Sequence, residues 1–321
     1  MSQSPRTLLP VEVTMLCTIC NLLITSSFSL WSMWLGLESM NFFTIPWLME
    51  GEDLQKMLKC FMYFIVQCAS SSMFLMGTLD IMNIYFFVLA TTSMMLKMGV
   101  FPFHIWMIHV VEMMKWKKFS IFMTILKMPP LTVMLYLNPE LWVMKVSWGG
   151  LLSPTQGLKN LSIRMMLTYS SVSYYSWLMI VVVLSKNLTF FFLMAYWTVL
   201  IMSCVMFSYK ICNSVKDLIS KKFHILDGYI MMSVMGFPPF LGFYPKLFTM
   251  KNMVFNNMVM ESLMLSFMSL MPMYMYLKML FSQCLKFYNS NYSFIFSGNK
   301  YFYIMLTITA SMLAEMIYFV T

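Results

Sequence analysis

Three lysines and one glutamate stand in apolar runs that offer a charged group no water: Lys97 in LKMGVFPFHIW, Lys127 in ILKMPPL, Lys246 closing GFPPFLGFYPK, and Glu38 in WSMWLGLESMNFFTIPW. A charge at the centre of a bilayer costs about 2.5–3.5 kcal/mol on insertion scales, so four cost on the order of 10 kcal/mol unless paired, hydrated or neutralised. Side chains retained at that cost mark ion or proton routes. Lysine suits such a route because it exchanges its proton, whereas arginine holds its charge. If Glu38 approaches Lys97, moving the two apart releases the lysine's proton, and lysines joined by water would pass it along the membrane plane. Two structural readings compete. Lys127 or Lys246 could carry its amine to a headgroup on its methylene stem, and Lys97 with Glu38 could form a static ion pair with no part in transport.

The residues around two of the lysines say how they could be positioned. Gly99 and Pro102 follow Lys97, while Gly236, Pro238, Pro239, Gly242 and Pro245 precede Lys246. A helix interrupted inside a bilayer frees amides and carbonyls, which are tolerated only where protein or a water-filled cavity satisfies them; transporters place ion sites at such breaks. One Gly/Pro-broken span in each half of the chain, each beside a lysine, is the pattern of two inverted repeats. His104 lies at the first break and is a candidate proton relay. His104 and His109 are five apart and do not stack on one helix face, and no Cys or carboxylate completes a ligand set, so no metal is expected. His224 sits in a basic loop, and Glu12, Glu261 and Glu315 lie near span ends. With no phosphate-binding loop, dinucleotide fingerprint or nucleophile–base pair, no redox cofactor is expected on this chain.

The elements that must carry these residues follow from composition. The 321 residues are 60% hydrophobic and 10% charged, against roughly 45–50% and about 25% in a soluble domain. The fold class is therefore all-α, a polytopic membrane protein of about 11 helices in a single transmembrane domain over 1–321. Spans are expected near 7–27, 28–49, 57–79, 82–106, 119–137, 139–157, 163–184, 188–209, 225–248, 257–283 and 301–320. This count puts fifteen Lys and Arg on the amino-terminal side against Lys145, Lys186 and Lys251 on the other. By the positive-inside rule the amino terminus then faces the compartment of synthesis, a bacterial cytosol or a mitochondrial matrix. The basic residues lie in short loops, so the net charge of +9 reports topology and not nucleic-acid binding. The first span lacks a cleavage site and is expected to stay in the mature chain. Seven cysteines, including the Cys17–Cys20 pair, are expected as buried thiols. The 42 methionines suggest an organellar code with an enlarged methionine set, which ordinary nuclear codons in the gene would refute.

The segments WSMWLGLESMNFFTIP, LKMGVFPFHIW, ILKMPPL, GLKNLSIRMMLTYSSVSYYSWLM, MGFPPFLGFYPKL and YMYLKMLFS resemble, in order and spacing, the antiporter-like membrane subunits of mitochondrial NADH:ubiquinone oxidoreductase (respiratory complex I), chain 2 members in particular. The resemblance implies that Glu38, Lys97, Lys127 and Lys246 correspond to that family's buried carboxylate and three lysines, part of a hydrophilic axis for proton translocation. It implies an antiporter-like core over about 28–283 with a terminal helix over about 301–320. It also implies a multi-pass protein of the inner mitochondrial membrane with its amino terminus in the matrix. Other membrane and peripheral subunits of the complex, including neighbouring antiporter-like subunits, and membrane lipids would be its partners. NADH, flavin, iron–sulfur clusters and ubiquinone would be handled on other subunits. The chain departs from the family pattern at Met62, at Ile108 and His109, in LKNLS, and at Tyr174. A stand-alone cation/proton antiporter would share the broken helices and lysines, and an architectural subunit would use them only to pair charge.

Overall fold

A computed structural model describes residues 10–289, apart from 28, 50–53, 140–142, 144–147, 161, 221–224 and 239. The expected span at 301–320, residues 140–142 and 144–147 of the one at 139–157, and Lys145, His224, Pro239 and Glu315 lie outside the described residues. Among the described residues every regular element is helical, as the composition requires. Packing divides the chain into two units, Met1–Gly150 with Tyr174–Val183, and Leu151–Ser173 with Leu184–Thr321.

The first unit is built from α1 (Pro10–Ser26), α2 (Leu30–Leu48), α3 (Leu54–Thr78), α4 (Ile84–Met98), α5 (Ile105–Val111), α6 (Trp116–Met123) and α7 (Met128–Leu137). Its helices turn their apolar residues both ways. On α2, Met33, Leu37, Met40, Thr44 and Trp47 face inward at helical spacing, while Trp31, Leu35 and Phe42 stand exposed. An exposed face that apolar belongs against hydrocarbon. The α2 and α3 faces also meet through a hydroxyl contact, Thr44 Oγ1 to Tyr63 Oη at 3.1 Å.

The second unit holds α8 (Ser153–Gly157), the first half of α9 (Ile163–Leu184), α10 (Lys186–Lys210), α11 (Val215–Ser220), α12 (Ile225–Met235), α13 (Phe243–Phe255), α14 (Val259–Met268) and α15 (Leu270–Asn289). Lys210 at the end of α10 forms a part-buried ion pair with buried Asp227 in the first turn of α12. The isolated bridge between Ser162 and Ser214 ties the start of α9 to the loop after α10. Among the described residues five stretches are long and apolar enough to cross a bilayer: Leu54–Thr78, Trp116–Leu137, Ile163–Leu184, Lys186–Lys210 and Val259–Cys284.

Both expected interruptions are present, and their backbones match. The span expected at 82–106 is α4 and α5 with a turn between them, and that at 225–248 is α12 and α13. At the first, Gly99 takes φ +69, its N–H donates to Leu96 O, and Val100 N–H donates to Met95 O. At the second, Gly236 takes φ +73, its N–H donates to Ser233 O, and Phe237 N–H donates to Met232 O. Each is a Schellman closure, which needs the left-handed conformation that glycine adopts without a Cβ penalty. The next bond repeats too: Phe103 N–H to Val100 O and Phe240 N–H to Phe237 O, both 2.8 Å. Met-Gly-x-x-Pro-Phe recurs as 98–103 and 235–240, so one short motif writes the same helix stop twice.

A third interruption was not expected. The span at 119–137 is α6, a 3₁₀ turn over Ile125–Lys127, and α7. Pro129 and Pro130 open α7 and have no N–H to return to the carbonyls of Ile125 and Leu126, so the helix cannot run through. The tighter turn puts Lys127 at the junction.

Candidate functional site

Lys127 and Lys97 meet in the first unit. Both are buried, at 2% and 4% exposure. The Lys127 ammonium donates to Lys97 O at 3.5 Å, a carbonyl in the last turn of α4. The carbonyl end of a helix carries partial negative charge, worth about 0.3–1 kcal/mol to a nearby cation and up to about 2 when partly buried. Lys127 therefore does not snorkel; its amine points into the protein.

Three rings close around the same ammonium: Trp106 with its centroid at 4.9 Å, Phe122 at 5.1 Å and Tyr175 at 6.0 Å. Trp106 Nε1 donates to Leu96 O at 3.2 Å, and Tyr175 Oη donates to Met123 O at 2.7 Å. Both acceptors lie at helix ends, Leu96 closing α4 and Met123 closing α6. The rings thus cap carbonyls at two interruptions while turning their faces to Lys127.

Beside the two lysines is a cavity of about 20 Å³, lined by polar groups from Asn41, Tyr63 and Gln67 as well as Lys97 and Lys127. That volume holds about one water, which needs some 10–15 Å³ and two to four polar partners. Among the described residues Lys97 Nζ has no hydrogen-bond partner. An unsatisfied buried donor costs about 1–3 kcal/mol, more if charged, so the cavity is where its missing bond belongs.

Glu38 is half-buried one element away. Its carboxylate accepts from Asn41 Nδ2 at 3.5 Å, one turn along α2, and it acts on Lys97 electrostatically across the site without a hydrogen bond. The contact ion pair entertained from the sequence is thus absent between these two residues. His104 is buried at 5% exposure, with its ring stacked on Phe101 at 5.7 Å and 27°. The structure does not place it among the groups lining the Lys97–Lys127 cavity.

Lys246 forms its own site in the second unit. It is buried at 7% exposure and donates to Met235 O, the last carbonyl of α12, at 3.5 Å. A Cβ on Gly236 would lie 3.0 Å from this ammonium, and a Cβ on Gly242 would lie 2.1 Å from Ser233 O. Both glycines are therefore steric requirements of the break. The arrangement repeats that at Lys127: an ammonium from a neighbouring helix lands on a carbonyl in the last turn of an interrupted one. Lys246 is deep in this unit and not at a headgroup.

The sequence reading missed Trp106, Phe122, Tyr175, Asn41 and Gln67. Only Pro129-Pro130 gave a signal, of the break that brings Lys127 to the rings. It also counted Lys118 among the basic loop residues of the amino-terminal side, whereas Lys118 is buried in α6, donates to Trp47 O and lies 5.4 Å from the Trp47 ring. All seven cysteines are free thiols, and Cys17 and Cys20 are buried in α1.

A family model described as NADH:quinone oxidoreductase/Mrp antiporter, transmembrane, matches residues 77–272, which hold both matched breaks and all three lysines. NADH-ubiquinone oxidoreductase chain 2 of Mytilus edulis is 31% identical over 235 residues, covering 71% of this chain and 73% of that one. The protein of the same description from Locusta migratoria is 28% identical over 275 residues, covering 80% of each. A chain of respiratory complex I from Thermus thermophilus, solved with bound aureothin, shares the fold at a TM-score of 0.76 and 15% identity, over 98% of this chain and 78% of that one. The chain belongs to the NADH:quinone oxidoreductase/Mrp antiporter membrane family, alongside the chain 2 proteins of NADH-ubiquinone oxidoreductase.

Proposed function

We propose that this chain is a proton-translocating membrane-arm subunit of respiratory complex I. In this reading NADH:ubiquinone electron transfer on other subunits drives protons through Glu38, Lys97, Lys127 and Lys246. The observation that carries it is the pair of interrupted helices, each offering a last-turn carbonyl to a buried lysine ammonium. A main-chain carbonyl can hold the charged amine but cannot take its proton. The proton's next acceptor must then be another side chain or a water, and the cavity between Lys97 and Lys127 has room for the water. A water there would accept from one ammonium and donate to the other amine once that is neutral. Glu38 on α2 supplies the negative charge that biases that exchange in this reading.

Flavin, iron–sulfur and quinone chemistry belong in this reading to partner subunits, so the chain contributes to a translocase without a redox centre of its own. The inner mitochondrial membrane is its place and the matrix the side of its amino terminus, as the basic loops indicate.

Two measurements test the proposal. On native gels the chain is expected to co-migrate with a multisubunit NADH-oxidising complex; cation–proton exchange by the purified chain alone in liposomes would instead make it a free-standing antiporter. In the assembled complex Lys97→Met and Lys246→Met are each expected to lower the number of protons moved per NADH. An unchanged ratio in both would leave an architectural subunit.

A further inference from the structure

We propose that Trp106, Phe122 and Tyr175 form an aromatic box that selects and holds the charged form of Lys127, which makes them positioning residues for proton transfer at that lysine. The inference rests on the reading of Lys127 as a transfer group. A ring face attracts a cation within about 6 Å through its quadrupole and offers a neutral amine no such attraction. All three centroids lie within that reach, at 4.9, 5.1 and 6.0 Å.

The anchoring of the rings argues that their faces are aimed. Trp106 commits its N–H to Leu96 O and Tyr175 its hydroxyl to Met123 O. Phe122 has no polar atom and is fixed edge-on by Trp106, at 6.2 Å and 78°, and by Tyr63, at 6.1 Å and 62°. Aliphatic side chains could fill the same volume but could neither cap those carbonyls nor present a negative face. With the polar atoms spent on the backbone, what remains toward Lys127 is the π surface.

The box then couples charge to position. While protonated, Lys127 is held between the rings and Lys97 O. Once neutral it loses the ring attraction and is released toward the cavity it shares with Lys97 and Gln67. The titratable groups on the elements around it include Cys17 and Cys20 on α1, Glu38 on α2, Cys60, Tyr63 and Cys68 on α3, Lys97 on α4, His104 at the break, His109 on α5, Lys118 on α6, and Tyr174 and Tyr175 on α9. Among the described residues none of them pairs with Lys127 in a salt bridge, so replacing a ring tests the box without altering a charged partner of Lys127.

The test is the pH profile of protons moved per NADH by the assembled complex. Phe122→Leu and Trp106→Leu are each expected to move the alkaline limb of pumping to lower pH by about 0.5–1 unit, the scale of one cation–π contact. Trp106→Phe, which keeps a ring face, is expected to move it less than Trp106→Leu does. Since Trp106→Leu also removes one of the two donors to Leu96 O, Phe122→Leu carries the test if the former does not assemble. A wild-type profile in assembled Phe122→Leu, or lower amplitude with an unmoved limb, overturns the box. Lys127→Met separates this from the underlying reading. Wild-type pumping in that variant removes Lys127 from the route altogether, whereas lost pumping together with unmoved limbs in the leucine variants removes the box alone.

Discussion

The two matched helix breaks share a backbone and differ in what surrounds the lysine. At the first, Lys127 arrives from a separate interrupted helix, with three rings, a second lysine and a cavity around it. At the second, Lys246 comes from the half-helix just beyond the break, with Gly236 and Gly242 packed close and, among the described residues, no ring in cation–π reach. Where the first break has His104, the second has Leu241 at the same place after the glycine, buried with Ala195 and Val199. The same helix stop thus serves two local chemistries. The first sets two lysines beside a cavity with room for a water; the second builds a single tight seat.

Five substitutions would break or sharpen that contrast. The largest effect is expected from Asp227→Asn, at the start of the helix that ends at the second break. It removes the charge of the buried carboxylate that pairs with part-buried Lys210, a loss toward the lower end of the about 3–5 kcal/mol that breaking a buried pair costs, read as a fall in assembled complex on native gels. Next come the glycines. Gly242→Ala forces a Cβ onto backbone at Ser233 O, 2.1 Å away, whereas Gly99→Ala meets only side chains at 3.3–3.4 Å and adds roughly 1–2 kcal/mol of left-handed strain. Thermal stability of the complex should fall more for Gly242→Ala, and the reverse order would mean that the second break is the looser one.

A smaller effect is expected from His104→Leu, which writes the second break's residue into the first. Assembly should persist, because leucine already serves at that place beside Ala195 and Val199, and protons moved per NADH should drop if His104 relays. An unchanged ratio would make the imidazole a packing group for Phe101. The smallest effect belongs to Glu112→Gln, which opens the exposed Lys59–Glu112 pair at 2.7 Å, far from either break in chemistry. Exposed pairs contribute about 0.2–1 kcal/mol, so a shift of a few degrees at most in thermal inactivation is expected.

What the sequence made legible was whatever a single residue type dictates alone. Gly99 and Gly236 had to mark stops, because a proline follows each within three residues and a left-handed closure favours glycine. The buried lysines announced themselves by their cost in an apolar run. The third interruption was also written, in Pro129-Pro130, but two prolines in a helix's first turn are compatible with an ordinary start, so the turn before them carried no mark. The aromatic box could not be read at all. Trp106, Phe122 and Tyr175 are spread over 70 positions in a chain with 29 Phe, 17 Tyr and 9 Trp, and no periodicity says that three of them converge. The direct Glu38–Lys97 pair is not formed; the donor the carboxylate meets is Asn41, one helical turn along.

One consequence follows from where the ammoniums land. Lys97 O and Met235 O are peptide oxygens, present whatever side chain those positions carry. No point mutation can erase either berth while the helix still stops there; mutation can only withdraw the visitor. Variation in this part of the molecule can therefore abolish, relocate or recolour the cation, yet the electronegative mooring is inherited with the shape of the chain.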